Sequence, residues 1–320
     1  MLSARSTGEV REAVGVSDVP EDLAVVNPGP LIAVDHSHDP RLDLYRGLND
    51  PAGRNRLDED QSVFVVEGRL AVGRLLTSGY AVRSLLVDDH QVTAAAHLVA
   101  ATRAQGAPVF VGSRDVVAET VGFALHRGVV AVAHRPSPVE AEQLLADAAG
   151  TSVSQGGRLL VAVLEGLNDH ENIGALFRNA AAFGVAGVLL DPTCADPLYR
   201  RSIRVSVGQV LHMPFARLAP WPAGLDQVRE AGFVIAALTP RPAADGSGIP
   251  AVGLGELRDW LSGSGHPADV ALLLGAEGPG LTEAALGAAD VVVTIPMADG
   301  VDSLNVATAA AVAFFALTDH

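Results

Sequence analysis

The last thirty residues, VVVTIPMADGVDSLNVATAAAVAFFALTDH from Val291 to His320, constrain the chain most, because they place a buried strand, a tight loop and an apolar helix in immediate succession. Val291 to Ile295 is a β-branched run of the buried-strand type, and Pro296 ends its ladder because proline has no backbone donor. Gly300 lets the chain reverse. Ser303 or Asn305 can cap the following helix, whose apolar positions Val306, Ala309, Ala310, Ala313 and Phe314 recur at helical spacing. That face is built of small residues, which allows close backbone approach to another element or subunit.

Two earlier stretches share the layout. Leu272 to Leu281, LLLGAEGPGL, is a buried strand running into a glycine-rich turn that carries one carboxylate, Glu277. Leu164 to Phe183, LEGLNDHENIGALFRNAAAF, is a strand end, a polar loop and a helix expected to begin near Asn172. On it Ile173, Leu176, Phe177, Ala180 and Ala181 form a buried stripe. Arg178 sits roughly 140° from Ile173 at about 100° per residue, so it points away from the core. Asn172 and Asn305 are each also readable as plain helix caps.

At 320 residues and 49% hydrophobic, the chain can bury a full core and is long enough for two domains. No apolar run reaches membrane-spanning length, and MLSARSTGEVREAVG lacks the apolar centre of a signal peptide, so a cytoplasmic location without membrane partners is expected. A single cysteine, Cys194, excludes an internal disulfide framework and a cysteine-based zinc cluster, and no metal is expected. The formal charge of −15 is unusual for a nucleic-acid binder, because phosphate affinity comes from cationic neutralisation. All 22 basic residues are arginines, however, and they are unevenly placed. Arg200, Arg201 and Arg204 cluster near the first of the loop-helix units, and Arg41, Arg46, Arg54, Arg56, Arg69 and Arg74 are concentrated in the first quarter. Arginine binds phosphate bidentately and stacks on bases, so local patches can hold RNA on an otherwise acidic surface.

Taken in order, residues 1–30 read as a polar tail ending in Asn27-Pro28-Gly29-Pro30. Residues 31–149 alternate strands near 62–66, 82–87, 108–111 and 128–133 with helices near 68–78, 92–104, 115–121 and 139–149, an α/β layer. The serine- and glycine-rich stretch 150–157 reads as a linker. Residues 158–320 alternate again. Strands are expected at 159–164, 187–190, 233–238, 270–274 and 291–295, and their continuous apolar character suits a parallel sheet covered on both faces. Proline and glycine in 241–250 read as a surface loop.

The three loop-helix units resemble the motifs of the TrmH (SpoU) branch of the SPOUT RNA methyltransferases, present here in order as NIGALFRNA, LGAEGPGL and IPMADGVDSLNVA. The likeness covers most of residues 159–320 and extends to the connecting segment DPLYRRSIRVSVGQVLHMPF. FVVEG, a helix and the LLVDD strand are similar, less specifically, to the ribosomal-protein-like α/β domain that binds RNA substrate in this family. The resemblance implies a C-terminal SPOUT parallel sheet with a trefoil knot, and a homodimer joined through the catalytic domain. It implies S-adenosylmethionine as methyl donor and a ribose 2′-hydroxyl of RNA as acceptor, in ribosomal RNA or, alternatively, in transfer RNA. A non-catalytic RNA-binding or ribosome-assembly protein that keeps the fold is the competing reading.

By the same resemblance Leu238, Thr239, Gly275, Gly280, Ile295, Met297 and Leu304 hold the donor. Arg178, delivered by the other subunit, Asn172, Glu277, Ser303 and Asn305 serve the reaction, and Arg200, Arg201 and Arg204 contact RNA. A nicotinamide-dependent oxidoreductase is disfavoured, because GAEGPG lacks the G-x-G-x-x-G spacing and lies late in the chain.

Overall fold

The structure, a computed structural model, describes residues 28–49, 61–125, 128–155, 158–240, 248–263 and 269–318. Most of the tail, Arg54, Arg56 and residues 241–247 therefore lie outside the described residues.

The first sheet contains β1 (Leu31–Val34), β2 (Val63–Glu67), β3 (Val82–Asp88), β4 (Val109–Gly112) and β5 (Val129–His134), with helices α1 (Arg69–Thr77), α2 (Ala96–Ala104) and α3 (Arg114–Val121). Its order is β1-β4-β3-β5-β2. β1, β4 and β3 run parallel, and β5 lies antiparallel to both β3 and β2. Period-2 alternation sorts the side chains. Val63, Val65, Leu86, Val130 and Val132 face Tyr45, Leu48 and Val121. Phe64, Val66, Leu85, Val87, Ala131 and Ala133 face α1 and α2 and join the core that continues into the second sheet.

Helix α4 (Ala141–Gln155) occupies the stretch read from sequence as the end of one domain and a linker. Ala141, Leu144, Leu145 and Ala148 are buried against Val161, Val163, Leu189 and Ala216 of the second sheet, so α4 packs with the second sheet rather than the first. Residues 150–155, read from sequence as linker, continue the helix.

The second sheet comprises β6 (Leu160–Glu165), β7 (Gly187–Leu190), β8 (Phe215–Arg217), β9 (Val234–Leu238), β10 (Ala251–Gly253), β11 (Val270–Gly275) and β12 (Val291–Thr294). All its pairings are parallel, in the order β10-β12-β9-β11-β6-β7-β8. Helices α5 (His170–Ala182), α6 (Arg200–Val205), α7 (Leu225–Glu230), α8 (Leu257–Gly263), α9 (Glu283–Gly287) and α10 (Val306–Leu317) cover it. The central strands β6, β9 and β11 are buried along nearly their whole length, as a parallel sheet sandwiched between helices requires.

The two sheets are tied directly. Glu67, at the end of β2 and 11% exposed, accepts from Arg200 at 2.5 Å and Arg204 at 3.1 Å on α6. Arg200 also donates to the Leu48 carbonyl at 2.9 Å and lies 5.1 Å over the Phe123 ring. Arg74 donates to the Val207 carbonyl, and Arg135 pairs with Asp196 at 2.6 Å.

Candidate active site

Three strand ends converge on one cavity of about 440 Å³. β9 contributes Leu238, Thr239 and Pro240; β11 and its turn contribute Leu274 to Gly278, Gly280 and Leu281. The loop after β12 contributes Ile295, Met297, Ser303, Leu304 and Asn305, and α10 adds Val306 and Ala309. All seven residues assigned to donor binding from sequence line this space. Gly275 and Leu304, 29 positions apart, meet there because β9, β11 and β12 all end at the same edge of the sheet.

The glycine turn is closed by its own backbone. The Gly280 N–H donates to the Ala276 carbonyl at 3.0 Å, and a side chain at Gly275 would lie 2.5 Å from the Gly280 carbonyl carbon and the Leu281 nitrogen. The missing side chain at Gly275 is thus required first by the turn folding back on itself. Gly278 and Gly280 adopt φ of 86° and 72°, the left-handed region that favours glycine.

Beside the cavity, three polar side chains form one network. Asn305 Nδ2 donates to Asn172 Oδ1 at 2.9 Å and to Glu277 Oε1 at 2.5 Å. Asn305 Oδ1 accepts from the Ala307 and Thr308 N–H groups at 3.0 and 3.2 Å and so caps α10. Glu277 also receives the Val306 N–H at 3.4 Å, which puts a carboxylate at the positive end of that helix. Asn172 does not cap α5. Asp169 does, accepting from the Glu171 N–H at 2.6 Å, and the helix starts at His170. Ser303 is exposed on the cavity rim, and Asn305 rather than Ser303 caps the last helix.

Arg178 stands apart. It is exposed on α5, has no hydrogen-bond or ion-pair partner among the described residues, and is not a wall of this protomer's cavity. Its neighbour Asn179 donates to the Ala307 carbonyl at 2.8 Å and fastens α5 to α10.

The arginine cluster differs from its sequence reading. Arg200, only 18% exposed in its side chain, is engaged by Glu67, the Leu48 carbonyl and the Phe123 ring. Arg201 pairs with Glu171 at 2.5 Å and Arg204 with Glu67, although both remain half exposed. Sequence shows three neighbouring cations but not the carboxylates brought to them from β2 and α5.

One further residue was missed. Glu165, 4% exposed at the end of β6, accepts from Trp221 Nε1 at 2.6 Å, the Thr282 N–H at 2.9 Å and Thr282 Oγ1 at 2.7 Å. It anchors the far end of the glycine turn. A carboxylate closing a six-residue apolar strand was the available signal. Cys194 is buried, and burial pushes its thiol up to about 12, so it is inert at neutral pH. Among the described residues there is no group of three or more histidine, cysteine or acidic side chains placed to hold a metal, and no helix long and apolar enough to cross a membrane.

The model of the SpoU rRNA methylase family matches residues 159–315. An uncharacterized tRNA/rRNA methyltransferase of Mycobacterium tuberculosis is 44% identical over 280 residues, covering 88% of this chain and 89% of the relative. The chain belongs to the SpoU (TrmH) methyltransferase family. Solved members share the fold at lower identity. An AdoMet-bound rRNA methyltransferase from Sinorhizobium meliloti superimposes with a TM-score of 0.72 at 23% identity, covering 90% of this chain and 98% of that one. The SpoU methyltransferase AviRb from Streptomyces viridochromogenes gives 0.68 at 22%, covering 87% and 97%.

Proposed function

We propose that the protein transfers a methyl group from S-adenosylmethionine to a ribose 2′-hydroxyl of structured RNA, ribosomal rather than transfer RNA, in the cytoplasm and as a homodimer. The observation that carries this reading is the meeting of three motifs at one cavity bordered by the Asn172–Asn305–Glu277 network. The cavity fits the donor. Leu238, Ile295, Met297 and Leu304 supply an apolar slot, and the backbone of the glycine turn supplies polar edges. The Sinorhizobium relative is described with AdoMet bound, and a further structural relative, 24% identical with a TM-score of 0.64 over 89% of this chain and 98% of that one, is described as an RNA 2′-O ribose methyltransferase. The small-residue face of the last helix and the strand order of the second sheet are consistent with a trefoil knot. The separate first sheet suits a substrate-binding domain of the ribosomal-protein-like kind, which favours the ribosomal target.

S-adenosylmethionine held by Leu238, Ile295, Met297 and Leu304 would supply an electrophilic methyl carbon for in-line attack by the ribose oxygen, with S-adenosylhomocysteine as the leaving group. The chain's residues position and stabilise. Glu277 locks the glycine turn to the start of α10, and Asn305 couples that start to Asn172, so the cavity walls move as one unit. Arg178, without a partner among the described residues of its own protomer, reaches the cavity of the partner. A guanidinium with a pKa above about 12 is a poor base. Its task is therefore to stabilise negative charge growing on the 2′-oxygen and to hold the adjacent phosphate, while the hydroxyl proton passes to solvent water. The exposed Val312 (41%) and Phe315 (61%) on α10, the latter edge-on to Phe183 just after the helix that carries Arg178, supply an apolar contact for the partner. Arg201 and Arg204 stay candidates for phosphate contact, because exposed ion pairs contribute only about 0–1 kcal/mol and exchange readily.

Incubation with labelled donor and separated ribosomal and transfer RNA tests the reading. Label in alkali-resistant dinucleotides from the ribosomal fraction, abolished by Arg178→Ala, is expected. Donor binding without any ribose methylation would refute the enzymatic reading, and absence of donor binding would favour a non-catalytic RNA-binding protein.

A further inference from the structure

A second cavity, about 610 Å³, lies where the first sheet meets the second, and it belongs to none of the donor machinery. Its volume is in the range of small-molecule sites. One wall is aromatic. The His170 and Tyr199 rings stand 4.1 Å apart at 41°, and Tyr80 and Phe215 close the sides. Arg217 also lines the cavity, its Nη1 fixed by the carbonyls of Asp191 at 2.9 Å and Cys194 at 2.8 Å. Its Nη2 and Nε have no partner among the described residues, so the guanidinium is immobilised with part of its donor set unused. Asn168, in the loop before α5, and His170, the first residue of α5, line this cavity, and Asn172 two residues further along joins the network beside the donor cavity.

We propose that this second cavity holds an unpaired nucleotide of the RNA substrate, its base against Tyr199 and His170 and its phosphate on the free edge of Arg217. The proposal rests on the RNA-methyltransferase reading and adds where a base next to the target is held. Single-stranded RNA is recognised by stacking splayed bases on aromatic side chains and arginine planes. Such a site matters here because the chain carries a net charge of −15 and the Arg200 cluster is engaged by carboxylates. Stacking gives affinity that does not depend on net charge. Arg135 on the same cavity is neutralised by Asp196, whereas Arg217 has no carboxylate ion-pair partner among the described residues.

The test uses the full chain. Each of the four ribonucleoside 5′-monophosphates is titrated at millimolar concentration while the His170 imidazole resonances, assigned against His170→Asn, are followed. RNA affinity, donor affinity and ribose methylation are measured in parallel for wild type, Tyr199→Leu and Tyr199→Phe. Saturable His170 shifts are expected in wild type. Tyr199→Leu should bind RNA about tenfold more weakly, Tyr199→Phe should match wild type, and donor affinity should be unchanged in both. His170 resonances that no nucleotide moves, or a Tyr199→Leu chain that binds RNA as wild type does, would overturn the proposal. If wild type nonetheless methylates RNA, the cavity assignment alone falls and the catalytic reading stands.

Discussion

Asn305 performs two tasks with two atoms. Its Oδ1 caps α10 while its Nδ2 bridges Asn172 and Glu277. Substitutions separate them. Asn305→Ala removes both and should lower stability by about 1 kcal/mol in thermal unfolding. Asn305→Asp keeps the cap, so its stability should stay near wild type, but it sets a carboxylate against Glu277 and should lose methylation as fully as the alanine variant. The sequence revealed both asparagines but not their bond, since 133 positions separate Asn172 from Asn305. It also offered Asn172 as a cap when Asp169, three residues earlier, was the better placed side chain. His170 supplies a pH prediction. Burial, the largest cause, holds its pKa below the usual 6.5 and Arg201 adds to this, while Asp196 and Asp169 oppose it. The unfolded chain therefore binds this proton more readily than the folded one. Its contribution to stability is full above the unfolded pKa and declines as pH falls through about 6.5. Denaturation curves should show wild type losing more stability than His170→Asn on acidification through that window.

Among the elements, long apolar runs were legible and short edges were not. β6, β7, β9, β11 and β12 were all readable because continuous burial leaves an unbroken apolar signature. β8 and β10 are three-residue strands at the two edges of the sheet, and β1 is a four-residue edge of the other. Pairing with a neighbour defines them, and their own residues do not. The first part of α4 was readable as a helix over 139–149, whereas residues 150–155 read as linker because of their serines and glycine. The glycine turn yields the sharpest prediction at this scale. Gly275→Ala drives a methyl group to within 2.5 Å of backbone at Gly280 and Leu281, neither of which is the end of a flexible side chain. Donor affinity by calorimetry should fall by at least about tenfold, while overall unfolding remains cooperative because the strand core is untouched. Unchanged affinity would show that the turn does not shape the donor cavity.

At the scale of the molecule, Glu67 and its two arginines, Arg135–Asp196 and the Arg74–Val207 contact fix the first sheet against the second where sequence composition suggested a loose joint. The sequence shows an excess of acid and clusters of arginine; only the fold shows that much of that arginine is engaged internally. Among the described residues, α10 exposes Val312 and Phe315, and Arg178, on the α5 helix that packs against it, has no ion-pair partner. Phe315→Glu should convert a dimer to a monomer in sedimentation and abolish methylation while leaving donor binding intact. The central claim, that each cavity is completed by the partner's Arg178, is tested most directly by mixing Arg178→Ala with Gly275→Ala after subunit exchange, at a donor concentration too low to fill the Gly275→Ala cavity. Random pairing makes half of the dimers mixed, and each mixed dimer holds one intact site, so recovery of roughly a quarter of wild-type methylation is expected. Mixed dimers that form but stay inactive would contradict the account.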